Sequence, residues 1–241
     1  MSGKDYPRAK DSTQKTRVLA FFCAFLLSLL LFTWFLLPKF AVSAIEKSFE
    51  TAFADCRADL ITKDGFLAAV GGNVQNAELV LKFANSAPVS KIIADYTDRS
   101  DLWTILKAGE ASLSQNAPDK LSIQWNDATL TAFLQQRQSF MQEPVAAICK
   151  DNIKISCTLS VYGKNLTAEL IVTPQIKEDK LCLLLQEVSA RSLDGQAVIL
   201  SDSVEAKLAE KLQFELVFSP LNWPTEGAEA YLDNGFLIVA K

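Results

Sequence analysis

The sequence predicts an α+β protein in which an N-terminal transmembrane helix precedes a curved antiparallel sheet packed around amphipathic helices. Three observations lead to this prediction. Residues 18–37 form a stretch of 20 residues without a charge. Several later segments alternate apolar and polar residues with the period of two that is typical of strands, most clearly 121–125 and 153–172. Two other segments, one after Asn126 and one near Ser203, place apolar residues along one side of a helix.

The uncharged stretch is long enough to cross a bilayer, because 20 helical residues span about 30 Å. Five basic residues precede it: Lys4, Arg8, Lys10, Lys15 and Arg17. Only Lys39 follows closely, so the positive-inside rule places the N-terminus in the cytoplasm. We therefore expect a single-pass plasma-membrane protein with a cytoplasmic arm (1–17), a transmembrane helix (18–37) and an extracytoplasmic, periplasmic domain (38–241). A cleaved signal peptide is the alternative, because Val42, Ser43 and Ala44 supply the small residues that signal peptidase requires.

The composition of the outer domain argues against several classes of function. The net charge of the chain is −4. Because the arm holds five positive and two negative residues and the span holds none, the outer domain carries −7. Such an acidic domain is not expected to bind nucleic acid, whose phosphates need cationic neutralisation. The chain also has no histidine, which removes the commonest general base and the commonest transition-metal ligand. We expect no enzyme activity, no metal and no cofactor.

The cysteines leave two interpretations open. Cys56, Cys149, Cys157 and Cys182 lie outside the span, and no CxxC motif occurs. In an oxidising compartment they can form one or two disulfides. As free thiols they are small buried hydrophobic residues, which the position of Cys157 on the apolar side of its strand favours.

The first part of the outer domain is predicted to begin with a helix at 41–53. Its apolar residues, such as Ile45 and Phe49, share one face, whereas Glu46 lies on the other. This helix can continue the anchor helix past Pro38, with a kink there. Less regular segments follow, with strands predicted at 57–61 and 74–83. The segment 89–96 is not assigned to one type of element, and 101–107 is either a helical turn or a crossing segment.

The second part has the clearest local signals. A strand at 121–125 leads into a helix that Asn126 caps and that ends before Pro144. An antiparallel meander follows, with strands at 153–161, 166–172 and 181–191. The start of the last strand is apolar on both sides, so we expect both of its faces to be covered. A helix capped by Ser203 and a hairpin at 231–239 complete the chain.

The order of these parts resembles the LmeA-like phospholipid-binding family of bacterial envelope proteins. The resemblance is carried by residues 65–74 leading into 77–81, by the strand and capped helix at 121–136, and by Pro220 and 233–239. Gly65 stands where the family often has proline. The resemblance implies a tubular lipid-binding fold, in which a strongly bent sheet wraps a long helix around an apolar groove.

A lipid groove is the first candidate site. Its expected lining is Phe66, Leu67, Val70, Phe133, Leu134, Phe140 and Met141. The alternative is that these residues form ordinary core. Residues 66–70 also have two interpretations, a loop that dips into the bilayer or a buried strand.

Carboxylates are the second candidate. They form two groups in the sequence: Asp55, Asp59 and Asp64, and then Asp98 and Asp101. Because nothing in the pattern indicates that they are buried, we expect a solvated face rather than a catalytic pair.

The expected function is the non-enzymatic binding of phospholipid or another acyl lipid, with a role in cell-envelope lipid handling or maintenance. The expected partners are the lipid and the bilayer, and a protein partner stays unidentified. The alternative is an anchored, non-enzymatic interaction module of an envelope complex.

Overall fold

The structure of the protein is a computed structural model that describes residues 10–53, 55–64, 68, 71–108, 116–137, 140–178, 180–215 and 227–241. The helices are α1 (Lys10–Ala52), α2 (Leu102–Lys107), α3 (Asp127–Arg137) and α4 (Asp202–Lys211). The strands are β1 (Cys56–Thr62), β2 (Ala77–Phe83), β3 (Lys91–Tyr96), β4 (Lys120–Trp125), β5 (Met141–Ile148), β6 (Ile153–Val161), β7 (Lys164–Lys177), β8 (Lys180–Ser192), β9 (Ala197–Val198), β10 (Gln213–Glu215), β11 (Glu229–Asp233) and β12 (Phe236–Ala240).

The predicted α+β class and antiparallel pairing are confirmed, but the described strands form two sheets rather than one. Sheet A has the order β1-β2-β3-β4-β12-β11, and sheet B has the order β10-β8-β7-β6-β5 with β9 beside β8. The two sheets meet where β11 lies against β7. One hydrophobic core runs through both, and its largest fully buried side chains include Phe49, Tyr96, Trp125 and Phe133.

Helix α1 joins the apolar stretch to this core without a break. It has 43 residues, which corresponds to a length of about 65 Å, and it continues through Pro38. Its last part packs on the domain, because Ile45 and Phe49 are buried. By length and composition α1 could cross a membrane, as an anchor or as a signal sequence, and the apolar window that qualifies it is not buried at all.

Two helices cover edge strands through side chains that accept strand N–H groups. On β1, the N–H of Leu60 donates to Glu46 Oε1 at 2.9 Å. On β5, the N–H of Ala146 donates to Thr131 Oγ1 at 2.9 Å. An uncovered edge presents unpaired N–H groups that invite aggregation, so α1 and α3 each protect one edge strand, β1 of sheet A and β5 of sheet B.

Several predicted boundaries need correction. The α3 helix starts after Asn126 as predicted but ends at Arg137, and Met141, expected on its apolar side, begins β5 instead. Pro144 lies at an irregularity of this edge strand, where the missing N–H costs no ladder hydrogen bond. Helix α4 begins at Asp202, one residue before the predicted cap, and ends at Lys211 because the chain continues into β10.

The double-sided cover predicted for β8 holds over only part of the strand. Leu181, Cys182 and Leu183 are all buried, so both faces are covered at its start. Leu184 on the next position is 40% exposed. The strand therefore leaves the core interior after its first few residues.

Candidate functional site

A groove of about 200 Å³ lies between α4 and the end of β6. We call it the α4 groove. Its lining residues are Phe140, Leu159, Ser160, Val161, Tyr162, Val204, Lys207, Leu208 and Lys211.

Two local patterns build the walls of the α4 groove. In β6 the period of two places Leu159 and Val161 on the side of the core, next to the hairpin to β7. Tyr162 and Gly163 make that turn with φ of 49° and 76°, as a tight hairpin with two left-handed residues requires. In α4 the spacing of four residues places Val204 and Leu208 on one face, toward the same strand end.

The rim of the α4 groove is cationic. Lys207 and Lys211 are exposed on α4, and none of the described residues that line the groove is acidic. The Nζ of Lys211 lies 5.1 Å from the ring centroid of Phe140. A contact of this kind stabilises by about 0.5–1 kcal/mol at an exposed site, and it holds the ammonium above the apolar floor. Apolar floor and cationic rim together suit an anionic amphiphile.

The size of the groove limits what it can hold. An apolar cavity of about 150 Å³ accommodates benzene, whereas sites for drug-sized ligands occupy about 300–1,000 Å³. At about 200 Å³, the α4 groove can enclose part of one acyl chain next to its headgroup, but not a whole two-chain lipid.

The structure brings one predicted lining residue, Phe140, to this groove. Phe133, Leu134 and Met141 are instead 2%, 0% and 3% exposed within the core, which agrees with the alternative that they are ordinary core. The ring of Phe133 contacts that of Phe214 with centroids 5.2 Å apart. Phe66, Leu67 and Val70 lie outside the described residues, as does most of the segment 66–70, so both interpretations of that segment stay predictions.

Sequence reasoning missed most of the lining. The seam of Val204 and Leu208 is visible in the sequence, but Lys207 and Lys211 look like the solvated side of a helix. Nothing local signals that the end of β6, some forty residues earlier, lies beside that helix. A basic pair flanking an apolar seam in an otherwise acidic domain is the one signal that could have drawn attention to α4.

The predicted carboxylate group near α1 has structural partners. Asp59 Oδ2 lies 2.7 Å from Lys82 Nζ, and this hydrogen bond is the main reason that the pKa of Asp59 falls below its ordinary value. Asp64 Oδ2 accepts the N–H groups of Gln75 and Asn76 at 2.5 and 2.6 Å. Burial acts to raise the pKa of Asp64, but the hydrogen bond from the Asn76 side chain, together with these two backbone hydrogen bonds, prevails and lowers it. A general acid needs the opposite shift.

The cysteines are all free. Burial raises the pKa of Cys157 to about 11 and, with a contribution from Glu50, that of Cys56 also to about 11. Thiols with such pKa values carry almost no thiolate at neutral pH, so they are poor nucleophiles. Within the described ranges, His, Cys, Asp and Glu form no group of three or more that could hold a metal ion.

A comparison of the chain with protein-family models, with curated proteins and with solved structures found no match.

Proposed function

We propose that this chain is a single-pass, membrane-anchored protein of the bacterial cell envelope whose extracytoplasmic domain binds phospholipid or another acyl lipid in the α4 groove. The supporting observation is the combination in that groove of an apolar floor and two lysines, in a domain whose overall charge is acidic. The resemblance to the LmeA-like family is the second support. The tubular lipid-binding fold, the periplasmic location and the role in envelope lipid handling belong to the same proposal.

Packing of α1 supports an anchor that is retained. Cleavage after Ala44 would cut α1 inside the turn where Ala41, Val42 and Ile45 pack against the core. It would also leave Phe49 on a helical remnant of only eight residues, whose helical form would then depend entirely on packing against the core. An uncut α1 instead links the bilayer to the folded domain through one continuous helix.

The energetics of the groove predict modest affinity. Each buried methylene contributes about 0.8 kcal/mol, so four of them supply roughly 3 kcal/mol. That alone corresponds to a Kd weaker than about 1 mM. A hydrogen bond to a charged group adds about 1.5–3 kcal/mol, so a contact of Lys207 with the headgroup decides whether binding improves from the millimolar toward the micromolar range. The headgroup should therefore be anionic, as in phosphatidylglycerol.

The test is lipid binding by the full chain in detergent, followed by native mass spectrometry with added phosphatidylglycerol. Val204→Trp fills the groove, and Ala209→Trp places the same side chain on an exposed position of α4 that does not line the groove. We expect one bound lipid in the unchanged chain and in Ala209→Trp. In Val204→Trp we expect binding to be weaker by about tenfold or more, which corresponds to a loss of about 1.4 kcal/mol of binding free energy. Equal binding by both variants, or none by the unchanged chain, would refute the proposal.

The second candidate, an anchored interaction module, is favoured by the filled core around Phe133 and Leu134. A solid domain has no internal space for lipid. In that case the full chain takes up no lipid in the experiment above, and chemical cross-linking in intact cells yields one defined protein adduct instead.

A further inference from the structure

Helix α1 and strand β1 run antiparallel with a matched register. Glu46 Oε1 accepts the N–H of Leu60 at 2.9 Å, and Glu50 Oε1 accepts the N–H of Ala58 at 3.3 Å. Four helical residues advance about 6.0 Å, and two strand residues advance about 6.6 Å. Carboxylates one helical turn apart can therefore accept alternate N–H groups of the strand. Because the later strand residue, Leu60, pairs with the earlier helix residue, Glu46, β1 runs back along α1 toward the apolar stretch.

This register fixes the height of the end of β1 above that stretch. Thr62, the last residue of β1, lies two residues beyond Leu60, or about 6.6 Å along α1. Leu37, the last residue of the uncharged stretch, lies nine residues before Glu46, or about 13.5 Å. Thr62 is therefore about 7 Å from the level of Leu37. The headgroup layer on one side of a bilayer is about 5–7 Å thick.

The sheet ladder places other segments at the same height. Thr62 is opposite Ala77, and Ala77 is opposite Tyr96. Asp95 is opposite Lys120, and the C-terminal Lys241 pairs with Leu121 through two backbone hydrogen bonds. One end of sheet A thus gathers the start of β2, the end of β3, the start of β4 and the C-terminus.

The geometry points to a contact between this end of sheet A and the headgroups of the bilayer that α1 crosses. The inference rests on the anchor in the proposed function, and it adds the orientation of the domain. We call the contacting surface the bilayer end of sheet A and define it by Lys63, Asp64, Asp95, Asp98, Arg99, Asp119, Lys120 and Lys241.

The charges of the bilayer end of sheet A fit zwitterionic phospholipid. Cations and anions alternate there, with Lys63 Nζ 2.6 Å from Asp95 and Arg99 Nη2 3.5 Å from Asp119. The side chain of Lys120 is exposed beside them. A headgroup that carries both a phosphate and a positively charged nitrogen can pair with side chains of either sign. The eight side chains that define the surface are four basic and four acidic, so the surface has no cationic excess and gains no net attraction from anionic lipid.

Site-specific photo-cross-linking tests the inference on the full chain in phosphatidylcholine liposomes. The photoreactive residue p-benzoylphenylalanine is placed at Lys120 in one variant and at Ser86 in the matched control, and both positions are exposed. Ser86 lies just after Phe83, the last residue of β2, which is opposite Cys56 at the start of β1. Cys56 is six residues from Thr62, so Ser86 lies about 20 Å farther from the bilayer than the end of β1 does. Lipid adducts are then quantified by mass spectrometry, and flotation reports membrane insertion separately.

We expect both variants to float, and the Lys120 variant to form about tenfold more lipid adduct or more, because only that position lies at the headgroup layer. The ratio should be unchanged when phosphatidylglycerol replaces part of the phosphatidylcholine. Chains that float but give equal adducts, or more at Ser86, would overturn the orientation and leave the anchor intact. Adducts that form only with phosphatidylglycerol would overturn the zwitterionic preference. Failure to float would refute the anchor itself, and the orientation with it.

Discussion

Truncating Phe49 to alanine tests whether α1 and the domain that follows it form one folded unit. Phe49 is 0% exposed and belongs to the core that runs through both sheets. Replacing a buried phenylalanine by alanine costs about 3–5 kcal/mol, which includes the lost transfer free energy and the cavity left behind. That is a large part of the 5–15 kcal/mol that a typical domain has in total.

Urea unfolding of the full chain in detergent micelles measures this loss. With a denaturant dependence of about 2 kcal/mol per molar, the unfolding midpoint should fall by about 1.5–2.5 M. Intrinsic fluorescence can follow the transition because Trp103 and Trp125 are buried in the domain. Phe40→Ala is the matched control, since Phe40 is on the same helix but 68% exposed and should shift the midpoint little. Equal midpoints for the two variants would show that α1 is only a tether, and would refute the reasoning.

Three further predictions use the same unfolding assay. Glu46→Ala leaves the Leu60 N–H without its acceptor and should cost about 1–3 kcal/mol, whereas Glu46→Gln keeps a carbonyl acceptor and should cost less. If the two variants lose the same stability, the hydrogen bond is not what matters. Tyr96→Phe should gain about 1 kcal/mol, because the Tyr96 hydroxyl is buried and has no hydrogen-bond partner among the described residues, and a loss of stability would contradict this. The pKa of Asp64 is lowered in the folded state from its ordinary value of 3.8. As the pH falls through 3.8, the unfolded state therefore binds the proton first, and the chain loses stability until the pH has passed the folded-state pKa. Asp64→Asn should show a shallower decline between about pH 5 and pH 2, and parallel curves would argue against the Asn76 and backbone hydrogen bonds as the cause.

The sequence pattern predicted an element correctly wherever the contacts that form this element lie within a short segment. The helix after Asn126 starts where predicted because Asn126 Oδ1 accepts the N–H of Thr129 at 2.9 Å, a contact three residues apart. The meander of β6 and β7 follows the predicted alternation through residues such as Ile155 and Leu170, because burial on one face imposes a period of two.

The sequence pattern predicted the wrong element where pairing with a segment distant in the sequence determined the structure. Met141 has a spacing that fits the apolar side of α3, and only pairing with Leu159 of β6 makes it part of a strand. The candidate site shows the same limit. Phe140 could be named from its apolar character, but the α4 groove exists because β6 and α4 pack together, and no local period encodes that contact.

The sequence alone determined the uncharged N-terminal stretch, the acidic charge of residues 38–241, the antiparallel α+β class and the start of α3, because each depends on composition or on contacts a few residues apart. Only the tertiary structure decided that there are two sheets, that Glu46 of α1 and Thr131 of α3 cover their edge strands, and that one end of sheet A lies near the level of Leu37. The physical reason is that an edge strand must satisfy its outward N–H groups, and its sequence does not record which distant side chain will do so.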